Sequence, residues 1–278
     1  MGANVNKIKS RIKSVDSTLH LTKAMELVAA SKIRRAREKH EKAAGYKNAF
    51  EGVLQSISRS SDFPVQSFMR RSTEKEQPGQ GPKIKLIVIA GDRGLAGGYN
   101  ANVFKLASTV EADEIITIGK RADDKFGIDG YNCSDFTPEI CLELSNRLLD
   151  GFLTGEYDKL MLISTKFISM MKQEAVLSTL LPLTASIPDD ETQACTETIF
   201  EPDPETVFRA VLPEYLSSLI YSAVRESYLS ETTARRFAMD SACRNAEKML
   251  DELTLRFNRA RQSAITQEIT EIISGSAQ

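Results

Sequence analysis

The sequence is poor in the residues that build a thick globular core. It has no Trp, 7% aromatic residues and 41% hydrophobic residues over 278 positions. A chain of this size can hold one or two domains, so this lean composition indicates that much of its length is not compact globule. No run approaches the roughly 20 apolar residues of a membrane span, and the first residues lack the apolar core of a signal peptide. We therefore expect a soluble protein that meets a membrane only through a partner.

Cysteine and histidine are too few and too scattered to suggest a reactive centre. The four cysteines show no CxxC spacing, which favours reduced thiols over a zinc site or a disulfide framework: Cys133, Cys141, Cys195 and Cys243. His20 and His40 lie several turns apart in one predicted helix. No Ser or Cys has a plausible base nearby in the sequence. We expect no catalytic residue, no bound metal and no cofactor.

Proline is absent from residues 4–58, and only Gly45 and Gly52 interrupt the helix formers there. Apolar residues recur at alternating spacings of three and four, the heptad pattern by which one helix wraps another: Val5, Ile8, Ile12, Val15, Leu19, then Ala29, Ile33, Ala36, Ala43, Phe50, Leu54 and Ile57. Such a helix extends on the order of 80 Å at 1.5 Å per residue.

The C-terminal part has no proline after Pro213, and no glycine lies between Gly155 and Gly275. This predicts a second helix on the order of 90 Å long, beginning at Pro213 or earlier, near Pro204. Its predicted seam is rich in alanine: Ala234, Ala238, Ala242, Ala246, Met249, Leu253, Phe257, Ala260 and Ala264. Such stripes also occur in ordinary bundles, but two helices this long favour an antiparallel pair that closes around an inserted domain.

Charge is unevenly distributed along the chain. Residues 1–60 carry 13 Lys and Arg against 5 Asp and Glu, residues 61–205 carry 14 against 24, and residues 206–278 carry 9 against 9. Residues 19–30 are apolar on nearly every helix face, which indicates an enclosed helix. The basic run SKIRRAREK follows at residues 31–39. Such a run is either a solvated face or the complement of an acidic partner, which could be nucleic acid, a membrane surface or a protein.

The middle of the chain changes to short alternating elements. Strands are predicted at residues 84–90, 114–118 and 160–164, with helices near residues 101–110 and 140–153. This alternation predicts a parallel sheet covered on both faces, reached through a flexible segment at residues 60–82. The expected fold is a mixed α+β and α/β chain. An antiparallel coiled coil (residues 1–60 and 206–278) carries an inserted Rossmann-like α/β domain (residues 61–205).

The glycine-rich loop GDRGLAGG at residues 91–98 follows the first predicted strand and precedes a helix. Phosphate is often bound at this position in α/β folds. The loop contains neither G-x-G-x-x-G nor G-K-[ST], and Lys120 follows the second strand where dinucleotide sites carry an acidic residue. We therefore expect a tight strand-to-helix turn, with a nucleotide-binding enzyme as the alternative.

Three long motifs resemble the gamma subunit of F-type ATP synthases. The first comprises IKSRIKSV at residues 8–15 and LTKAMELVAASK at residues 21–32. The second is DRGLAGGYN at residues 92–100, and the third is RARQSAITQEITEI at residues 259–272. Their order and spread cover essentially the whole chain, which makes the resemblance more specific than helix periodicity.

The resemblance implies a central rotor shaft without an active site of its own. It couples ion-driven rotation of the c ring to ATP synthesis in a hexamer of alpha and beta subunits, and its α/β domain sits on the c ring beside the epsilon subunit. It further implies that the apolar segments at residues 19–30 and 265–272 turn in an apolar sleeve. The contacts it implies with the beta and alpha subunits are Lys23, Met25, Lys32, Arg34, Arg35, Arg261, Gln262 and Thr266. Those implied on the c-ring and epsilon side are Phe200, Glu201 and Asp203.

The departures from the family pattern are small. Gly91 stands where the family often has Ser, and no second cysteine lies near Cys195 as in the thiol-regulated plastid form. The lack of a presequence favours a bacterial chain, peripheral on the cytoplasmic face of the plasma membrane. A coiled-coil scaffold with no rotary role is the main alternative, and it leaves the three motifs unexplained.

Overall fold

The computed structural model describes residues 2–60, 82–183 and 200–275. Most of the predicted flexible segment at residues 60–82, and Cys195, lie outside these ranges. The elements in chain order are α1 (Gly2–Ser60), β1 (Ile84–Ile89), α2 (Tyr99–Ala107), β2 (Glu114–Ile118), α3 (Lys120–Phe126), α4 (Pro138–Thr154), β3 (Lys159–Phe167), β4 (Gln173–Leu181) and α5 (Pro204–Gly275). Within them, no helix is long and apolar enough to cross a bilayer.

The four strands form one mixed sheet in the order β2-β1-β3-β4. β1 pairs in parallel with β2 and with β3, as predicted, whereas β4 runs antiparallel to β3. The prediction of an all-parallel sheet was therefore wrong at this edge. An antiparallel edge strand needs only a short hairpin, here residues 168–172. The sequence before β4 therefore has no crossover helix from which the strand could be predicted.

Both faces of the sheet are covered. Along β1, Ile87 and Ile89 join the core formed with α4 and the first part of α5, where Phe208, Leu216 and Val224 are buried. The alternate residues of β1 face the second core, which Val103 of α2 and Ala122 of α3 complete. This alternation follows from the two-residue period of a strand, and it explains why β1 reads as a continuous apolar run.

The two long helices belong to two compact units, residues 1–31 with 235–278 and residues 32–234. In the larger unit, Ile33 and Ala36 of α1 pack with Leu229 of α5, and the Tyr46 hydroxyl lies 3.2 Å from a Glu214 carboxylate oxygen. A later residue of α1 thus meets an earlier residue of α5, so the two helices run in opposite directions in this unit.

Helix α5 begins at Pro204, the earlier of the two predicted starts, and Pro213 lies inside it. The Asp203 carboxylate accepts hydrogen bonds from the Thr206 backbone N–H at 2.9 Å and from the Thr206 hydroxyl at 2.7 Å. A side-chain acceptor immediately before the first turn satisfies a backbone donor that the helix itself leaves unpaired. Asp203 therefore fixes the start of α5.

Candidate partner interface

The less exposed side of α1 follows the predicted heptad seam along the described helix. From Val5 to Ile57, all twelve predicted seam residues are partly or fully buried. Four polar residues that were not predicted complete the 3-4 repeat: Thr22, Glu26, His40 and Lys47. In the smaller unit the Cys243 thiol lies 3.2 Å from the Thr22 hydroxyl. The seam is therefore a structural face, and its apolar and polar members alike are turned away from solvent.

The seam of α5 follows a 3-4 repeat too, but it departs from the predicted alanine stripe, because Met239 and Cys243 are buried where the predicted Ala238 and Ala242 beside them are only partly buried. Its less exposed positions are Met239, Cys243, Ala246, Leu250, Leu253, Phe257, Ala260 and Ala264. Met249, predicted on the seam, is exposed, and Leu250 takes its place. The alanines recur every fourth residue, and this spacing drifts away from the 3.5-residue average of a straight contact line.

Several large apolar side chains of the smaller unit lie off these seams and face solvent. On α1, Leu21 is 61% exposed and Leu27 is 64% exposed, and Val28 beside it is also exposed. On α5 the exposed set, apart from Met249, comprises Phe237, Leu255, Ile265, Ile269, Ile272 and Ile273. An accumulation of exposed apolar side chains in one unit is typical of surfaces that bind a partner. We call these nine residues the off-seam apolar set.

The predicted contact residues of the smaller unit are surface residues. Lys23, Arg261, Gln262 and Thr266 are exposed, and Met25 is half-buried. The Thr266 hydroxyl donates to the Gln262 carbonyl one turn earlier, so it is satisfied within the helix. All five are accessible to a partner on the faces that α1 and α5 leave open.

The structure does not bring all five together. Lys23 follows Thr22, which contacts Cys243, and Arg261 lies 18 residues beyond Cys243 on α5. At 1.5 Å per residue this is about 27 Å along the helix. Lys23 and Met25 therefore lie at a different level of the helix pair from Arg261, Gln262 and Thr266.

The basic run lies on α1 in the larger unit. Lys32, Arg34, Arg35, Arg37 and Lys39 are exposed, while Ile33 and Ala36 between them are buried. Arg34 pairs with Glu38 at 3.2 Å, an exposed i,i+4 ion pair that contributes little stability. The arrangement leaves the positive charge of this patch directed to solvent.

The three residues predicted on the c-ring and epsilon side lie in the larger unit and differ in their surroundings. Phe200 packs against the sheet core, whereas Glu201 is exposed. Asp203 caps α5, and its hydrogen bonds with Thr206 hold the pKa of its carboxyl below the usual value. Asp203 thus has a structural role that needs no partner.

The glycine-rich loop is used internally. The Gly91 N–H donates to the Asn100 side chain at 2.9 Å, and the Asp92 carboxylate accepts the backbone N–H groups of Cys133 and Ser134, each at 2.9 Å. The Tyr99 hydroxyl donates to the Ser227 carbonyl of α5 at 3.0 Å. Burial, then the nearby Glu231 carboxylate, raises the pKa of Tyr99. The loop therefore joins β1, α2 and α5, as a tight turn does.

Three members of the off-seam apolar set lie outside the apolar segments predicted at residues 19–30 and 265–272, namely Phe237, Leu255 and Ile273. The heptad pattern of the sequence could have identified these residues. Once the 3-4 seam is set, any large apolar residue outside it is exposed unless a partner covers it.

Comparison with known proteins decides the family. The family model described as ATP synthase matches residues 4–277. The ATP synthase gamma chain of Ruminococcus albus is 41% identical over 294 residues, covering 99% of this chain and 98% of that protein. The chain belongs to the ATP synthase gamma chain family.

Other members of this family, and solved structures, agree with the assignment. A gamma chain of Acetobacterium woodii described as sodium ion specific is 38% identical over 308 residues, with 99% of each chain covered. The fold is similar to a chain in the Euglena gracilis mitochondrial ATP synthase OSCP/F1/c-ring structure, with TM-score 0.64, 17% identity and coverage of 100% and 95%. A chain of the Tetrahymena thermophila central stalk and c-ring structure has TM-score 0.53 at 18% identity, with coverage of 80% and 99%.

Proposed function

We propose that this chain is the central rotor shaft of an F-type ATP synthase. The α1–α5 pair turns inside a hexamer of alpha and beta subunits, and the sheet domain sits on the c ring beside the epsilon subunit. Rotation of the ring deforms the beta subunits in turn, and ATP is made there. The chain transmits torque, and the complex lies on the cytoplasmic face of a bacterial plasma membrane.

The observation that carries this proposal is the off-seam apolar set. Leu21, Leu27 and Val28 on α1 and the isoleucines near the end of α5 are large apolar side chains that face solvent in the isolated chain. Removing apolar area from water stabilises an assembly by about 25 cal/mol per Å². A surrounding sleeve of other subunits covers these residues, and an apolar contact, being non-directional, tolerates rotation.

The fold fits this role in its finer details. The 3-4 seams of α1 and α5 support an antiparallel coiled coil, and three parallel strands with covering helices support a Rossmann-like domain inserted between its helices. We place the N-terminal coiled-coil helix at residues 1–60, the α/β domain at residues 61–205 and the C-terminal coiled-coil helix at residues 206–278. Helix α5 begins two residues before the last limit, at Pro204.

Charged residues supply most of the directional contacts in the proposed assembly. The basic patch of α1 faces acidic loops of the alpha and beta subunits, through Lys32, Arg34 and Arg35. Lys23 and Met25 contact one level of the hexamer, and Arg261, Gln262 and Thr266 contact another, because about 27 Å of helix separates them. Phe200, Glu201 and Asp203 lie toward the c ring and epsilon subunit.

Co-purification from membranes tests the assembly. Tagged chain expressed in its own cells should bring down alpha, beta and epsilon subunits together with the c ring. Recovery of the folded chain alone would instead support a scaffold protein with no rotary role.

Substitution of Arg261 tests torque transmission. Arg261→Ala should weaken the coupling of ATP hydrolysis to ion pumping in membrane vesicles and leave the fold intact. Arg121→Ala is the control, since Arg121 is also an exposed arginine, on α3, and forms an i,i+3 ion pair with Asp124. Equal coupling in both variants would remove Arg261 from the contact set.

A further inference from the structure

Helix α5 takes the place of a strand beside the end of β3. β3 pairs with β1 only as far as Ile163, whereas its pairing with β4 continues to Phe167. Beyond Ile163 the backbone groups of β3 on the β1 side need other partners, because unpaired backbone groups are costly when buried. Side chains of α5 provide them.

The contacts are made by serine and glutamate side chains. The Thr165 N–H donates to the Ser227 hydroxyl oxygen at 3.0 Å, and the Ser230 hydroxyl lies 3.4 Å from the Thr165 carbonyl oxygen. The Phe167 N–H donates to a Glu226 carboxylate oxygen at 3.0 Å. Ser227 and Ser230 are three residues apart and so lie on the same helix face. Together they bond both polar groups of the Thr165 backbone, as a neighbouring strand does.

The contact between α5 and the end of β3, which we call the junction, is buried, and α2 also bonds to it. Ser227, Ser230 and Thr165 are all at most 3% exposed. The Tyr99 hydroxyl, at the start of α2, donates to the Ser227 carbonyl at 3.0 Å. The same turn of α5 is therefore bonded to β3 through side chains and to α2 through its backbone.

We propose that Ser227 and Ser230 are positioning residues that lock α5 to the sheet domain against rotation about its own axis. The proposal rests on the rotor function above. Apolar packing along Phe208, Leu216 and Val224 holds α5 to the sheet, but it is non-directional and resists rolling weakly. Hydrogen bonds are directional, and rolling α5 leaves the buried Thr165 backbone groups without partners. Torque that enters through the sheet domain thus passes into α5 at this junction.

The first test is hydrogen exchange of the assembled ATP synthase containing Ser227→Ala. The peptide that contains Thr165 should lose its protected amide, with exchange about ten-fold faster, the factor expected for loss of one buried hydrogen bond. Ser218→Ala is the matched control, because the Ser218 hydroxyl is equally buried on α5 but donates only to Tyr215 in the same helix. Equal exchange in the two variants overturns the proposed locking role of Ser227.

The second test measures the torsional stiffness of the rotor. In complexes stalled without ATP, the angular fluctuation of a probe on the c ring should widen for Ser227→Ala and stay at the wild-type value for Ser218→Ala. Ser230→Ala, which keeps the Ser227 bond, should show a smaller widening and provides the test if Ser227→Ala does not assemble. Assembly with unchanged fluctuation in every variant overturns the proposed lock while leaving the rotor function standing. Failure of the wild-type chain to assemble with the c ring overturns the rotor function itself.

Discussion

Gly119, between β2 and α3, has a conformation that only glycine adopts readily, with φ 107. A Cβ at this position meets the Ala90 carbonyl oxygen at 2.0 Å. That atom belongs to the backbone at the end of β1, so it moves only if the sheet edge moves.

We therefore expect Gly119→Ala to lower the free energy of unfolding by about 2–4 kcal/mol, from backbone strain and overpacking together. Gly127→Ala separates the two causes, since Gly127 has φ 68 and open space around it. It should cost about 1–2 kcal/mol, from conformation alone. Urea denaturation of the three proteins measures the difference, and equal costs would show that the Ala90 contact carries no penalty.

Asp203 gives the start of α5 a defined pH dependence. Its hydrogen bonds with Thr206 lower the pKa of its carboxyl below the usual 3.8. A lowered pKa in the folded state contributes stability that is present above the unfolded value and is lost as the pH falls through the folded value.

We expect Asp203→Asn to unfold at a lower urea concentration than the wild type near neutral pH, with the gap closing as the pH falls below 3.8. The Asn side chain keeps an acceptor for the Thr206 N–H but has no charge to lose. Asp203→Ala, which lacks the acceptor, should be less stable than Asn at every pH. A gap between wild type and Asn that persists in acid would contradict this origin.

At the scale of the elements, regular periodicity made some features predictable and irregularity hid others. The 3-4 spacing on α1 identified its buried face because a long helix contact demands that repeat. The alanine spacing on α5 misplaced Met249, since it continues in steps of four to Ala246 and then takes a step of three. The seam instead has its step of three between Cys243 and Ala246 and reaches Leu250 by a step of four. β4 is a nine-residue edge strand whose sequence QEAVLSTLL mixes polar and apolar residues without regular alternation, and α3 is a seven-residue helix of mostly charged residues. Neither therefore carries a regular apolar pattern of its own.

Two leucines of α5 separate the seam from the off-seam surface. Leu253 is 7% exposed and Leu255 is 53% exposed. Leu253→Ala should destabilise the isolated chain by about 2–3 kcal/mol, whereas Leu255→Ala should stay within about 0.5 kcal/mol of the wild type.

In the assembled complex, Leu255→Ala should have the larger effect of the two substitutions if a sleeve covers the off-seam apolar set. There Leu255→Ala removes a contact with the surrounding subunits, and its loss appears as weaker retention of the chain by the alpha and beta subunits. Thermal unfolding of the free chain and co-sedimentation with those subunits measure the two effects. Equal destabilisation by the two substitutions in the free chain would contradict the assigned seam.

At the scale of the whole molecule, the partner contacts depend on surfaces that this sequence does not contain. Helix periodicity predicts which side chains are exposed, and the family motifs indicate which of them meet a partner. Neither specifies the opposing residue, because complementarity of charge is a property of two surfaces. The basic patch of α1 is the feature whose partner chemistry is easiest to test, since its charge can be reversed without changing the seam beneath it.

The double substitution Arg34→Glu and Arg35→Glu should weaken binding of the chain to alpha and beta subunits by about ten-fold at low salt, because acidic loops then face like charge. The loss should shrink as salt rises, since the screening length falls from about 10 Å at 0.1 M to about 3 Å at 1 M. Lys120→Glu with Arg121→Glu is the matched control. It changes the net charge of −2 by the same amount, and Arg121 pairs with Asp124 much as Arg34 pairs with Glu38. Similar weakening by both pairs would assign the effect to net charge, and a loss independent of salt would point to packing at the helix surface instead of an acidic partner.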